Sequence, residues 1–151
     1  MLTAIHRMVE SCRKGTYAAT VARLGSGWVV MANSQVIRGY CLLLPDPVVP
    51  HLNALPAQQR AQFLQDMARV GDALLNVTEA LRVNYAMFGN QEPALHAHVF
   101  PRYRDEPAAL RDQHPWAYDW SQAPQFDAAV HGDLLEAMRR DLFASTAPAP
   151  S

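Results

Sequence analysis

The residues best suited to chemistry in this chain lie in one stretch, Gly89–Tyr103, with His96 and His98 at its centre. The run from Ala94 to Phe100 alternates and is bounded by Pro93 and Pro101, which predicts one short strand. Side chains on a strand repeat every two residues, so Ala94, His96, His98 and Phe100 would share a face. Leu95, Ala97 and Val99 would share the other face and pack on a core. Two imidazoles would then stand side by side, roughly 6–7 Å apart at the backbone. Just upstream, the polar connector Gly89-Asn90-Gln91-Glu92 could turn its amides toward a ligand. Three readings are open at this point. The pair could be two satisfied histidines on a half-exposed strand. It could hold zinc, but that needs a third or fourth ligand at a recognisable spacing, and Cys12 and Cys41 are both isolated. Or one histidine is a nucleophile or acid–base and the other assists it at a phosphate.

The run Pro93-Ala94-Leu95-His96-Ala97-His98-Val99-Phe100-Pro101-Arg102-Tyr103 resembles the signature of the histidine triad (HIT) family. There, three alternating histidines are followed by two apolar residues and Pro-Arg. Val99-Phe100 precede Pro101-Arg102 here, so His98 takes the third place, His96 the middle one, and Ala94 the first. The opposite register, with Phe100 in the third place, misplaces Pro101. The resemblance implies a nucleotide hydrolase or nucleotidyl transferase acting on a dinucleoside polyphosphate or a nucleoside phosphoramidate. It makes His96 the nucleophile: a neutral imidazole attacks the α-phosphorus, a nucleotidyl-histidine forms, and water releases the nucleoside monophosphate. It sets His98 against the phosphate and leaving-group oxygens, and Gly89, Asn90 and Gln91 around the phosphate. Amides aimed at a developing phosphoryl charge stabilise it without having to reorganise. The nucleophile's second ring nitrogen must be held by an acceptor, which in the family is a backbone carbonyl within the motif.

The same resemblance suggests two outlying positions. Asn33, at a strand end, would meet the nucleotide ribose, although an Asn there also suits a turn. His51, just after Pro50, would lie near the triad and could stand in for the histidine missing at Ala94, although a lone loop histidine also suits the surface. A methyl group cannot make the bonds of a first triad histidine, so the alternative is a non-catalytic nucleotide-binding module. No cofactor is implied, and no metal is needed for the covalent step. The implied partners are a small nucleotide and a second copy of the chain in a homodimer.

Composition sets the bounds. With 151 residues, 50% of them hydrophobic and 18% charged, the chain is globular and long enough for a core. A net charge of −1 argues against a nucleic-acid polymer as partner, which calls for a basic excess; a small nucleotide remains compatible. The longest apolar runs, such as Cys41–Leu44, fall far short of a membrane span. The start Met1-Leu2-Thr3-Ala4-Ile5-His6-Arg7 lacks a signal peptide's pattern. Two distant cysteines suggest no disulfide framework. The expectation is a cytoplasmic protein with no membrane partner. Walker and Rossmann fingerprints are lacking, since Gly25-Ser26-Gly27 has the rest of neither.

The elements that would position the histidines follow from periodicity. Leu2, Ile5, Met8, Val9 and Cys12 predict an amphipathic helix ending near Lys14-Gly15. Three strands, 16–24, 28–32 and 36–44, would form a meander, with Gly39 and Pro45 placed as the family has them. Pro56 suits the first turn of a long helix, with Phe63, Met67, Val70, Leu74, Val77 and Leu81 inward and Gln58, Gln59, Arg60, Gln65, Asp66 and Arg69 in water. A strand over 83–88 would pair with the histidine strand. The segment containing Trp116, Tyr118 and Trp120 reads as a loop pinned by aromatic packing or a subunit contact, with base stacking as the functional alternative. His114 and His131 read as surface residues, and Asp127 as the cap of a last helix carrying Leu134, Leu135, Met138 and Leu142 inward. The expected fold is α+β and HIT-like: a five-stranded antiparallel sheet covered by a long helix, with additional N- and C-terminal helices. It would form a single domain over 1–144 with a flexible tail over 145–151.

Overall fold

The computed structural model describes residues 2–144; the tail expected over 145–151 lies outside them. Helix α1 (Ala4–Lys14) is followed by strands β1 (Thr20–Arg23), β2 (Gly27–Met31) and β3 (Cys41–Pro45). Helix α2 (Ala57–Val77) then leads to β4 (Arg82–Ala86) and β5 (Ala97–Arg102), and α3 (Ala108–Arg111) and α4 (Ala128–Ala144) complete the order. The strands form one antiparallel sheet in the order β1-β2-β3-β5-β4. This is the α+β architecture expected from the sequence.

Each helix has a local cause. The side chain of Thr3 accepts from the His6 amide, the His6 ring accepts from the Thr3 amide, and Gly15 ends α1 at φ 72°, a left-handed conformation that glycine adopts without a Cβ penalty. Ile5, Val9 and Cys12 are buried beneath it. In α2, Phe63, Val70 and Leu74 are fully buried, each stabilising the fold by roughly 1.5–3 kcal/mol. Asp127 caps α4 by accepting from the Ala129 amide at 2.8 Å, and Leu134, Leu135, Met138 and Leu142 face inward.

The sheet divides the core in two. Leu95, Ala97 and Val99 pack with α2 and α4 on one face; Ala94 and Phe100 pack with Ile5 and Val9 of α1 on the other. The alternation read from the motif therefore sets the two sides, even though β5 begins at Ala97. Before it, the Leu95 amide is bonded to the Val49 carbonyl at 2.8 Å. Among the described residues, no helix is long and apolar enough to cross a membrane.

Several local expectations need correction. The third strand starts at Cys41 because buried Gln35 satisfies the preceding loop: its amide donates to the carbonyls of Ala32 and Tyr40, and its oxygen accepts from Gly39. Asp66 is not in water but fully buried, where it receives the Ser26 amide and hydroxyl at 2.9 and 2.7 Å, with Gln62 and Arg69 alongside. Leu81 lies beyond α2 and is 54% exposed. His131 is buried, stacked on Phe126, and its Nδ1 accepts the Asp127 amide.

Candidate functional site

The two histidines face the same cleft, His98 from the inner strand β5 and His96 from the residue before it, with a different partner behind each ring. The Nδ1 of His96 lies 2.8 Å from the Ala94 carbonyl oxygen. A carbonyl only accepts, so Nδ1 carries the proton and Nε2 keeps its lone pair. The Nδ1 of His98 lies 2.6 Å from the Tyr40 hydroxyl. Burial raises the Tyr40 phenol above its ordinary range, so it remains an O–H donor, and the imidazole nitrogen is the better acceptor. His98 then carries its proton on Nε2. The rings meet edge to face with centroids 4.8 Å apart. Burial, and then the neighbouring His96, push the His98 pKa down to about 4. In their neutral forms the two rings thus offer one lone pair, on His96 Nε2, and one N–H, on His98 Nε2.

A cleft of about 1390 Å³ opens beside them. It runs from the connector Gly89-Asn90-Gln91 past His96 and His98 and along β4 to Arg82. Gly89 turns the connector at φ 79°, and Asn90 and Gln91 are exposed. Glu92 ties the connector to α1 by accepting from the Ala4 amide, near that helix's N-terminus, where a carboxylate is favoured. The opposite wall is the segment Arg111–Trp116. Its anchor is Arg102, only 6% exposed, which donates to both oxygens of Glu106, to Asn84, and to the carbonyls of Leu110, Arg111 and Gln113. Burial alone would raise the Glu106 pKa, but the bonds from Arg102, Tyr118 and the Tyr103 amide outweigh it and hold the carboxylate low.

Five of the seven sequence-derived site residues meet at this cleft: Gly89, Asn90, Gln91, His96 and His98. Asn33 and His51 do not line it. Asn33 is exposed past the end of β2, where its Oδ1 accepts the Tyr17 hydroxyl at 3.1 Å and its carbonyl the Phe126 amide at 2.7 Å. It joins two loops. His51 is exposed at the start of a short 3-10 turn, without a side-chain capping bond. Ala94 itself is fully buried among apolar side chains. His114 is exposed, as expected, but on the cleft wall. Tyr40 was missed: a buried tyrosine at the head of an apolar strand reads as core, and its histidine partner is distant in sequence.

A profile described as the HIT domain matches residues 18–105. The chain belongs to the HIT family. Among solved HIT-like structures, a histidine triad protein from Bradyrhizobium japonicum matches with a TM-score of 0.71 at 26% identity, covering 87% of this chain and 95% of its own. A histidine triad protein from Marinobacter aquaeolei VT8 has a TM-score of 0.74 at 17% identity, covering 95% of this chain and 98% of its own. A hypothetical histidine triad nucleotide-binding protein from Sulfolobus tokodaii strain7 has a TM-score of 0.71 at 12% identity, over 91% and 92%. No curated protein matches. The family match ends before Glu106, so α1, α4 and the wall carrying Trp116 lie outside it.

Proposed function

We propose that this HIT protein is a nucleotide hydrolase or nucleotidyl transferase that attacks the α-phosphorus of a dinucleoside polyphosphate or nucleoside phosphoramidate. The observation that carries the reading is the 2.8 Å bond from His96 Nδ1 to the Ala94 carbonyl, which leaves Nε2 as a lone-pair nucleophile beside the cleft. Attack forms a bond from His96 Nε2 to phosphorus as the bond from phosphorus to the leaving group breaks. The nucleotidyl-imidazolium that results keeps its Nδ1–H on the Ala94 carbonyl. Water then attacks phosphorus, His96 leaves as a neutral imidazole, the nucleoside monophosphate departs, and the water's proton passes to solvent.

His98 serves this sequence as a hydrogen-bond donor. With its pKa near 4 it carries no surplus proton at neutral pH. A polyphosphate leaving group, which departs as a stable anion, fits that role directly; an amine leaving group must bring its own proton. Asn90 and Gln91, exposed on the connector, supply the remaining phosphate contacts. A homodimer belongs to the same reading, and light scattering of the purified protein tests it.

A second reading has its own observation. In the chosen register Ala94 takes the first triad place, and its methyl is buried among apolar side chains. A nucleotide-binding module without turnover would tolerate that loss. The deciding experiment follows nucleoside monophosphate release from an adenosine phosphoramidate and a diadenosine polyphosphate at neutral pH, with chelator present. Wild type should release product, and His96→Ala should lose about a thousandfold or more. Binding of adenosine monophosphate by both proteins, with release by neither, would favour the second reading.

A further inference from the structure

The aromatic segment has a use beyond packing. Trp116 is 39% exposed and Phe88 64% exposed, and both line the cleft. Their ring centroids lie 5.0 Å apart with planes at 81°, so the two rings form a right-angled corner. Both also reach His98: Trp116 at 5.2 Å and 90°, Phe88 at 6.2 Å and 48°. His96, the proposed nucleophile, makes its ring contact with His98. In an in-line displacement the leaving group departs on the side of phosphorus away from the nucleophile, and the ring contacts lead away from His96 through His98 to the corner.

The Trp116 side of the corner is anchored. Trp116 stacks on Trp120 at 5.7 Å, and the Trp120 indole N–H donates to the Pro115 carbonyl. Three residues upstream, the Gln113 carbonyl is fixed by buried Arg102 at 2.7 Å. Phe88 directly precedes Gly89, the first residue of the phosphate connector. Packing explains the buried part of Trp116. Phe88, next to the connector, stays mostly exposed with its ring at right angles to the indole.

Resting on the nucleotidyl-transfer reading for the position of phosphorus, we propose that the Phe88–Trp116 corner is a stacking subsite for a planar aromatic group carried by the leaving group. The substrate class is a nucleotide whose scissile bond leads, within a few atoms, to an aromatic or heteroaromatic ring. Such a ring gains from preset aromatic faces without ordering a loop.

The test compares two adenosine 5′-phosphoramidates, one of 2-phenylethylamine and one of 2-cyclohexylethylamine, alike in size and apolarity but not in planarity. Wild type should favour the phenyl compound about tenfold in kcat/KM. In Trp116→Leu and Phe88→Leu the ratio should fall toward one, and Trp116→Phe should keep part of it. Equal rates for the two compounds in wild type would overturn the proposal. A second readout needs no turnover: the indole N–H resonance of Trp116 in His96→Asn, assigned with the Trp116→Phe variant. It should move further with the phenyl compound than with the cyclohexyl compound or adenosine monophosphate. An equal shift with all three would overturn the subsite. If wild type cleaves neither compound yet the resonance responds to phenyl alone, the corner stands and the nucleotidyl-transfer reading falls.

Discussion

His96 and His98 are two residues apart and face the same cleft, yet each ring is given a different proton arrangement by the atom behind it. The Ala94 carbonyl comes with the backbone and survives any substitution that keeps the strand. The Tyr40 hydroxyl is a side chain and can be removed. Tyr40→Phe keeps the ring that stacks on Phe100 at 4.1 Å and removes one hydroxyl. It should cost about 1–2 kcal/mol of stability, since Nδ1 of His98 loses its partner, and reduce kcat/KM about tenfold. Nitrogen chemical shifts of His98 should change from a single tautomer to a mixture. Titration of His98 in wild type should centre near pH 4. The unfolded chain takes up that proton near pH 6.5, so between about 6.5 and 4 it binds a proton the folded chain refuses. Stability should therefore fall as pH is lowered through that window, and urea midpoints at successive pH values would measure it. The histidines were legible in the sequence because strand alternation and the following Pro-Arg fix their register. Tyr40 was not, because its meaning comes from a strand pairing that sets Leu42 opposite His98.

At the scale of elements, apolar period and turn residues gave each strand of the HIT fold and helices α1, α2 and α4, while the short α3, the ends and polar exceptions escaped. Asp66 shows why. On a helix, an acidic residue among Gln65 and Arg69 reads as wet, and nothing local says that the amide of Ser26 comes to meet it. Asp66 fastens the turn between β1 and β2 to α2, so Asp66→Ala should destabilise by roughly 2–3 kcal/mol by stranding a half-buried amide and hydroxyl. Thermal or urea unfolding checks this, and Asp66→Asn, which keeps one acceptor, should lose less. Asn33 and His51 lie off the cleft lining for a related reason. Each was placed by likeness at a strand end or after a strand, where one residue of slip decides whether a side chain faces a cleft or a neighbouring loop.

Over the whole molecule, the charged residue of the Pro-Arg pair does something a motif cannot disclose. Arg102 points away from solvent and, besides Asn84, directs its donors to residues 106–113, which in turn set the cleft wall. The carboxylate of Glu106 is the counterweight and also accepts the Tyr118 hydroxyl at 2.6 Å. Glu106→Ala should cost roughly 3–5 kcal/mol by leaving a buried guanidinium unpaired, and should loosen the wall enough to raise KM for any substrate that touches it. Amide exchange across 107–118 would report the loosening directly. The limits of the recognisable family sequence are therefore not the limits of a foldable piece. A fragment cut after residue 105 would keep every histidine of the motif and still carry a cation stripped of its counterion in the middle of a sheet. Such a fragment should be recovered as aggregate, whereas one extended through α4 should stay in solution.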